Sequence, residues 1–195
     1  MQEKIAFAMC GSFCTFETVL TEAEAMTADG MRLLPVMSAA AAGTDTRFGT
    51  AASFRERLSR IAKWPVITDL TEAEPLGPQR LASALLIAPC TGYTLGKLAN
   101  GITDTPVTMA AKSMLRIGCP VILAISTNDG LGASFQNIGR LMNVKNVYFV
   151  PFRQDDARQK PGSLQADFTL MKKAVACALD GRQLQPVLLP VPQSG

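Results

Sequence analysis

The sequence predicts an α/β domain, a three-layer αβα sandwich around an open parallel sheet. Short apolar runs alternate with helix-periodic stretches along almost all of the 195 residues, which is the pattern of successive βαβ units. Hydrophobic residues make up 48% of the chain, enough for a full core without disulfide staples. No linker, internal repeat or low-complexity tract breaks the alternation, so a single domain is expected over residues 1–195.

Each element follows from its local pattern. Residues 4–9 read as a buried first strand, and after a Cys-Gly-Ser turn residues 15–28 carry apolar side chains at helical spacing up to Gly30. A second strand is expected over 31–37, a polar small-residue stretch over 38–49, and a helix over 51–62. Residues 66–68 form a short extra strand candidate, and 84–88 a clear strand that Pro89 should stop. Helices are expected over 94–102 and 106–116, the latter opening on Pro106, where a missing N–H costs nothing. A strand over 120–125, a helix over 131–142 and a strand over 147–150 closed by Pro151 complete the regular alternation. Residues 153–162 lack an apolar period and read as an irregular charged loop, a candidate mobile lid. A last helix over 164–179 and a flexible Pro-rich tail over 190–195 follow. The result is a sheet of the Rossmann-like or flavodoxin-like kind.

Composition excludes several function classes. Nineteen Lys and Arg against 16 Asp and Glu give a net charge of +3 with the cations scattered, so no nucleic-acid binding is expected. No run approaches the roughly 20 apolar residues of a membrane span, and Met1-Gln2-Glu3-Lys4 leads straight into a strand, so a cytoplasmic protein is expected with no membrane association. Cys10, Cys14, Cys90, Cys119 and Cys177 are odd in number and lack CxxC spacing; most read as small buried hydrophobes, and no metal site is expected. The chain contains no histidine, which removes Ser-His-Asp and Cys-His catalysis. A bound organic cofactor would supply the missing reactive group.

In an open parallel sheet, ligands sit beyond the carboxyl ends of the strands, and four loops there stand out. The first, Cys10-Gly11-Ser12-Phe13-Cys14-Thr15, offers close backbone approach, hydroxyls and the N–H groups of a helix start, which suit a phosphate. It lacks the Gly-x-Gly-x-x-Gly pattern, which disfavours NAD. The second runs from Ser38 past Thr44, Asp45, Thr46, Arg47 and Phe48. The third, Pro89-Cys90-Thr91-Gly92-Tyr93-Thr94, is dense in small and hydroxyl residues that suit a flat ligand. The fourth, Ser126-Thr127-Asn128-Asp129-Gly130, carries hydroxyl and amide groups that orient rather than abstract. Read singly, each is equally compatible with ordinary turn chemistry.

Together, Ala88-Pro89-Cys90-Thr91-Gly92-Tyr93-Thr94 and Lys97-Leu98-Ala99-Asn100-Gly101 resemble the flavin-binding segment of the homo-oligomeric flavin-containing cysteine decarboxylases. Thr46-Arg47-Phe48-Gly49, Ala73-Glu74-Pro75-Leu76-Gly77-Pro78, Ser126-Thr127-Asn128-Asp129, Tyr148-Phe149-Val150-Pro151-Phe152 and Leu184-Gln185-Pro186-Val187 resemble more closely the branch of that superfamily that serves dipicolinate formation during sporulation. The resemblance implies bound FMN, a homo-oligomer built on trimeric contacts, a mother-cell location, and a separate Rossmann-type partner, the A component of the dipicolinate-forming system. It also implies a cyclic dicarboxylate substrate. The decarboxylases use a histidine that this chain lacks, and the Asn of their flavin loop falls on Tyr93.

Carried over by position, Gly11, Ser12, Ser38 and Thr44 would hold the FMN phosphate and ribityl chain, and Pro89, Thr91, Gly92, Thr94 and Ser126 would line the flavin. Arg47, Lys97, Arg153 and Lys160 are the candidate cations for the two carboxylates, Arg47 first among them. Tyr93, Asn128 and Asp129 are the candidate catalytic residues, with Tyr93, Asp129 or water handling the proton; a tyrosine ordinarily titrates near ~10 and would need a cation beside it. The alternatives are a non-catalytic scaffold or regulatory protein of the same system, or a flavin-dependent decarboxylase relative, against which the missing histidine argues.

Overall fold

The computed structural model describes residues 3–190, so the tail expected over 190–195 lies outside it except for Pro190. Five strands, β1 (Lys4–Met9), β2 (Arg32–Met37), β3 (Ala84–Cys90), β4 (Val121–Thr127) and β5 (Val147–Phe149), run parallel in the order β2-β1-β3-β4-β5. They are near-continuous apolar runs because helices cover both faces of the sheet; every residue of β3 is buried. Helix α1 (Phe16–Ala28) covers one face with α8 (Met171–Leu179), joined to it through the 3₁₀ turn Phe168–Leu170. On the other lies α6 (Pro106–Arg116), with α4 (Leu70–Ala73) packed against it. This division is what right-handed crossovers to the left and right of β1 require. The fold is thus the three-layer α/β arrangement that the sequence predicts.

Local chemistry sets the boundaries. The Thr50 side chain accepts from the Ser53 N–H at 3.1 Å and starts α3 (Ala51–Ala62), while Thr105 and Thr108 form a reciprocal capping box across Pro106. Phe16 of α1 meets Phe54 of α3 edge to face at 5.0 Å, which fixes α3 against the core. At Gly77 a Cβ would fall 2.0 Å from the Ser113 carbonyl oxygen, so only glycine lets that turn lie against α6.

Several expectations are corrected. The polar stretch after β2 holds a short helix, α2 (Ala39–Gly43), because Ser38 caps it by accepting from the Ala41 N–H and Ala41 is buried. Residues 66–68 contribute only an isolated bridge between Ile67 and Val36. Strand β3 passes through Pro89 to Cys90, since the ladder to β4 is already irregular between Ile87 and Cys90 and tolerates a residue without an N–H. The helix expected over 94–102 begins earlier, as α5 (Gly92–Ala99), because Thr91 caps it. α5 packs on α7 (Ala133–Met142). Of the cysteines, only Cys10 and Cys90 are buried; Cys14 is exposed and the other two half-buried.

The largest correction concerns residues 152–166. The expected irregular loop and the start of the expected last helix form an antiparallel hairpin, β6 (Phe152–Asp156) and β7 (Lys160–Ala166). The sheet is therefore mixed and forks after the middle of β4. Val121, Ile122 and Leu123 pair with β5, whereas Ser126 and Thr127 pair with Gln165 and Leu164 of β7. This fork carries the hairpin past the carboxyl ends of the parallel strands.

Candidate functional site

The carboxyl ends of β1 and β3 are where the strand order reverses, and the crevice there is the natural ligand position in such a sheet. A cleft of about 450 Å³ opens at this point. Gly11 and Ser12 enter it from the first loop, Arg47 from the second, Thr91 from the third, and Ser126 and Asn128 from the fourth. The hydroxyls of Ser12 and Ser126 are 2.8 Å apart, closing the first loop onto the end of β4. A Cβ on Gly11 would lie 3.5 Å from the Ala40 Cβ, so α2 sits directly beside the first turn.

Arg47 reaches the cleft because residues 46–49 make a tight turn. Thr46 and Gly49 exchange both backbone hydrogen bonds, at 3.0 and 3.1 Å, and Gly49 adopts φ +147° with the Phe54 ring where a Cβ would be. The turn presents Arg47 and Phe48, with the guanidinium 4.9 Å from the ring centroid. From the hairpin come Lys160 and Asp155, paired at 2.9 Å, and Asp155 holds the Lys160 ammonium above its usual range. Two cations against one carboxylate leave the charged lining positive. Hydroxyls of Ser12, Thr91, Ser126 and Ser163 supply neutral donors, and Phe13 and Phe48 supply apolar walls. This donor set fits a phosphorylated planar group better than a cationic ligand.

Other expected residues are placed elsewhere, each for a visible reason. Ser38 caps α2, and Thr44 follows that helix, exposed. Pro89 is inside β3, where its carbonyl accepts from the Cys10 N–H at 3.2 Å. Thr94 is buried and donates to the Cys10 sulfur at 3.2 Å. Gly92 serves close packing within the protein: a Cβ there would meet the Thr127 and Ser134 hydroxyls at 2.6 Å and the Asp129 carboxylate at 2.7 Å. Tyr93 points outward, 69% exposed, with the Lys97 ammonium 4.5 Å from its ring centroid. Lys97 is in turn neutralised by Asp104. Arg153 pairs with Asp167 in a neighbouring recess, away from the cleft. Asp129 accepts hydroxyls from Thr127 and Ser134, which hold its carboxyl below the usual carboxylate range and unsuited to taking a proton near neutrality.

The structure also brings in Phe13, Cys14 and Thr127, which the sequence reading named in the first and fourth loops without giving them a role, and Asp155, Ser163 and Gln165, which it missed. Gln165 lies within the expected last helix and Ser163 just before it. The signal that could have placed them is the alternation in 161–166, where Leu164 and Ala166 face the core side and the intervening residues the cleft. A larger cavity of about 740 Å³ lies beside β5 and receives none of the four loops.

A family model described as Flavoprotein matches residues 1–162. The chain belongs to the Flavoprotein family. This flavoprotein-family chain is 41% identical over 187 residues to the B component of dipicolinate synthase from Bacillus subtilis (strain 168), covering 96% of this chain and 94% of that protein. The crystal structure of the same synthase component from Bacillus halodurans C matches with a TM-score of 0.88 at 39% identity, over 97% of this chain and 99% of that one. The FMN-dependent cysteine decarboxylase SpaF shares the fold, with a TM-score of 0.65 at 21% identity over 91% and 97% of the two chains. The cleft, lined by hydroxyls, cations and aromatic rings, lies at the β1/β3 switch point, the position at which open α/β sheets in general bind ligands.

Proposed function

We propose that this chain binds FMN in the cleft and takes part, with the A component of dipicolinate synthase, in oxidising a dihydro- or tetrahydrodipicolinate-type intermediate to dipicolinate during sporulation. The observation that carries the reading is the single cleft lined from four separate loops, the first of them joined to the fourth by the 2.8 Å contact of Ser12 with Ser126. Gly11 and Ser12, at the start of the first helical turn, suit the phosphate. Thr91 and Ser126 line the side nearest the sheet. Bound FMN would supply a two-electron acceptor, a capacity that no side chain of this chain possesses. Arg47 and Lys160, on opposite lips, suit the two carboxylates of a cyclic dicarboxylate, and the hairpin that carries Lys160 takes the place of the expected lid.

A homo-oligomer, trimer-based as in the resembling superfamily, agrees with the apolar and aromatic side chains left exposed: Tyr93, Ile102, Leu131 and Phe135 are 69%, 46%, 46% and 57% exposed. No helix among the described residues is long and apolar enough to cross a membrane, which agrees with a place in the mother-cell cytoplasm.

The test is dipicolinate formation by the purified A component with and without this chain, and with and without FMN. The proposal expects a rate that rises only when chain and FMN are both present. A rise that needs the chain but not FMN would instead support a non-catalytic scaffold or regulatory role.

A further inference from the structure

A recess of about 410 Å³ lies at the amino end of the sheet, beside the first residues of β1 and β2 and at the far end from the cleft. β2 is the edge strand there, and its backbone explains why the recess is open. The Arg32 and Ser38 N–H groups donate to the Glu3 and Met9 carbonyls on the β1 side. Alternate residues therefore bond inward, and Leu33, Pro35 and Met37 turn their backbone groups to the open edge.

The chain covers only part of that edge itself. The Ile67 N–H donates to the Pro35 carbonyl and the Ile67 carbonyl accepts from the Met37 N–H, both at 2.9 Å. One step back, the same parallel ladder would set Pro65 against Leu33, and a proline has no N–H to give the Leu33 carbonyl. The Leu33 N–H would in turn need the Lys63 carbonyl, but Lys63 adopts φ +54° as the cap of α3, and the chain departs from the edge. Leu33 thus keeps an N–H and a C=O without partners among the described residues, although it is 3% exposed and lines the recess. Backbone groups so enclosed take a ligand or water as partner.

The remaining lining decides which. Lys4, Arg32 and Lys63 line the recess with no carboxylate among them, and none of the three is in an ion pair among the described residues. Trp64, the single tryptophan of the chain, stands beside them, 47% exposed, with the Lys4 ammonium 5.7 Å from its ring centroid. Its backbone is anchored at both ends: the Trp64 N–H donates to the Ser59 carbonyl at 3.3 Å, and the Ser59 hydroxyl donates to the Trp64 carbonyl at 2.9 Å.

We propose that this recess binds a nucleotide. The Leu33 N–H and C=O meet an acceptor and a donor on the edge of the base, Trp64 stacks on its face, and Lys4, Arg32 and Lys63 hold the phosphates. A bare anion would leave the Leu33 carbonyl and the Trp64 ring unused, and an uncharged ring would leave three cations uncompensated. An extended peptide adding to the edge would run into Pro65 and Ile67 within a few residues, so the guest must be compact.

The experiment uses the full chain with ADP as the probe. Trp64 is the only tryptophan, so tryptophan fluorescence reports this recess alone. ADP should quench it with a Kd below about 1 mM, and adenosine and pyrophosphate, which each carry part of the recognised chemistry, should bind at least about tenfold more weakly. Arg32→Met and Lys63→Met change exposed side chains and should each raise the Kd for ADP about 10-fold. Trp64→Ala, followed by calorimetry, should raise it about 5- to 100-fold. Saturating FMN should leave the ADP affinity measured by calorimetry unchanged, and none of the three variants should alter FMN affinity. Absence of quenching by ADP, parental affinity in both charge variants, or pyrophosphate binding as tightly as ADP overturns the proposal; the last reduces the recess to a patch that collects anions. Competition between ADP and FMN would place ADP in the cleft, which overturns the proposal and leaves the FMN reading standing.

Discussion

The hydroxyls of Ser12 and Ser126 meet at 2.8 Å although 114 positions separate them in sequence. One belongs to the loop after β1, the other to the stretch of β4 that pairs with the hairpin, so this contact ties the phosphate-suited turn to the hairpin. A neutral hydrogen bond of this kind contributes about 1 kcal/mol net. Ser126→Ala is expected to weaken FMN binding about 5- to 10-fold by flavin fluorescence titration and to lower Tm by about 2–4 °C. Unchanged FMN affinity would place the flavin outside this cleft.

Arg47 is in none of the ion pairs among the described residues, and its turn is fixed by Gly49 rather than by a charged partner. Its donors are free for a carboxylate. A hydrogen bond to a charged group contributes about 1.5–3 kcal/mol, so Arg47→Ala is expected to raise KM for the dicarboxylate about 10- to 100-fold. Arg47→Lys should recover only part of the loss, because an ammonium lacks the planar fork. Steady-state kinetics of the FMN-loaded chain with the A component gives both values.

How far the site was legible in the sequence follows from what each segment packs against. α3 and α6 have the boundaries expected, since Thr50 and the Thr105–Pro106 pair announce helix starts through side-chain chemistry alone. The four loops were legible because turn residues stand at the ends of apolar runs. The hairpin was not. Its cleft-facing side carries Ser163 and Gln165 instead of apolar residues, so the alternation that marks a strand on a hydrophobic core is muted where the strand lines a polar cleft. Residues matched to the flavin by position also serve the protein's own packing. Pro89, Gly92 and Thr94 are small or hydroxyl-bearing as a flavin wall would be, but here those properties serve contacts to Cys10 and to the loop holding Asp129.

Asp129 makes that loop sensitive to acid. Hydroxyls of Thr127 and Ser134 stabilise the carboxylate and lower its pKa in the folded chain. A carboxylate whose folded pKa is depressed contributes stability that is present above its unfolded value, about 3.9, and lost as pH falls through the folded one. Asp129→Asn is therefore expected to unfold at lower urea concentration than the parent at pH 7, with the gap closing as pH falls below about 4. A gap constant over that range would show that the loop depends on shape, not charge.

Phe135 of α7 and Tyr93 of α5 are exposed, on two helices that pack together. If a second copy covers them, a charge placed there must be desolvated on association. Phe135→Glu is expected to shift the chain from an oligomer to a monomer in analytical ultracentrifugation while leaving the far-ultraviolet circular dichroism intact. A parent chain that sediments as a monomer at micromolar concentration would remove the homo-oligomer from the proposal.

Gly130 decides how closely the hairpin rests on the end of β4. A Cβ there would lie 2.6 Å from the Leu164 Cβ and Cγ, and Leu164 is buried at the point where β7 joins β4. Next to it, the Leu131 N–H donates to the Gly162 carbonyl at 2.9 Å. Gly130→Ala must move Leu164, and with it the strand that places Ser163 and Lys160 at the cleft. The parallel strands and their helices do not depend on this contact. The expected outcome is a local one: faster hydrogen exchange across 152–166 and severalfold faster proteolysis near Arg158, with β1 and β3 unchanged. FMN should still bind through the first and third loops, but the dicarboxylate KM should rise as Lys160 is withdrawn. Equal exchange rates in the two chains would mean that the hairpin is held by its own pairing and not by its seat on Gly130.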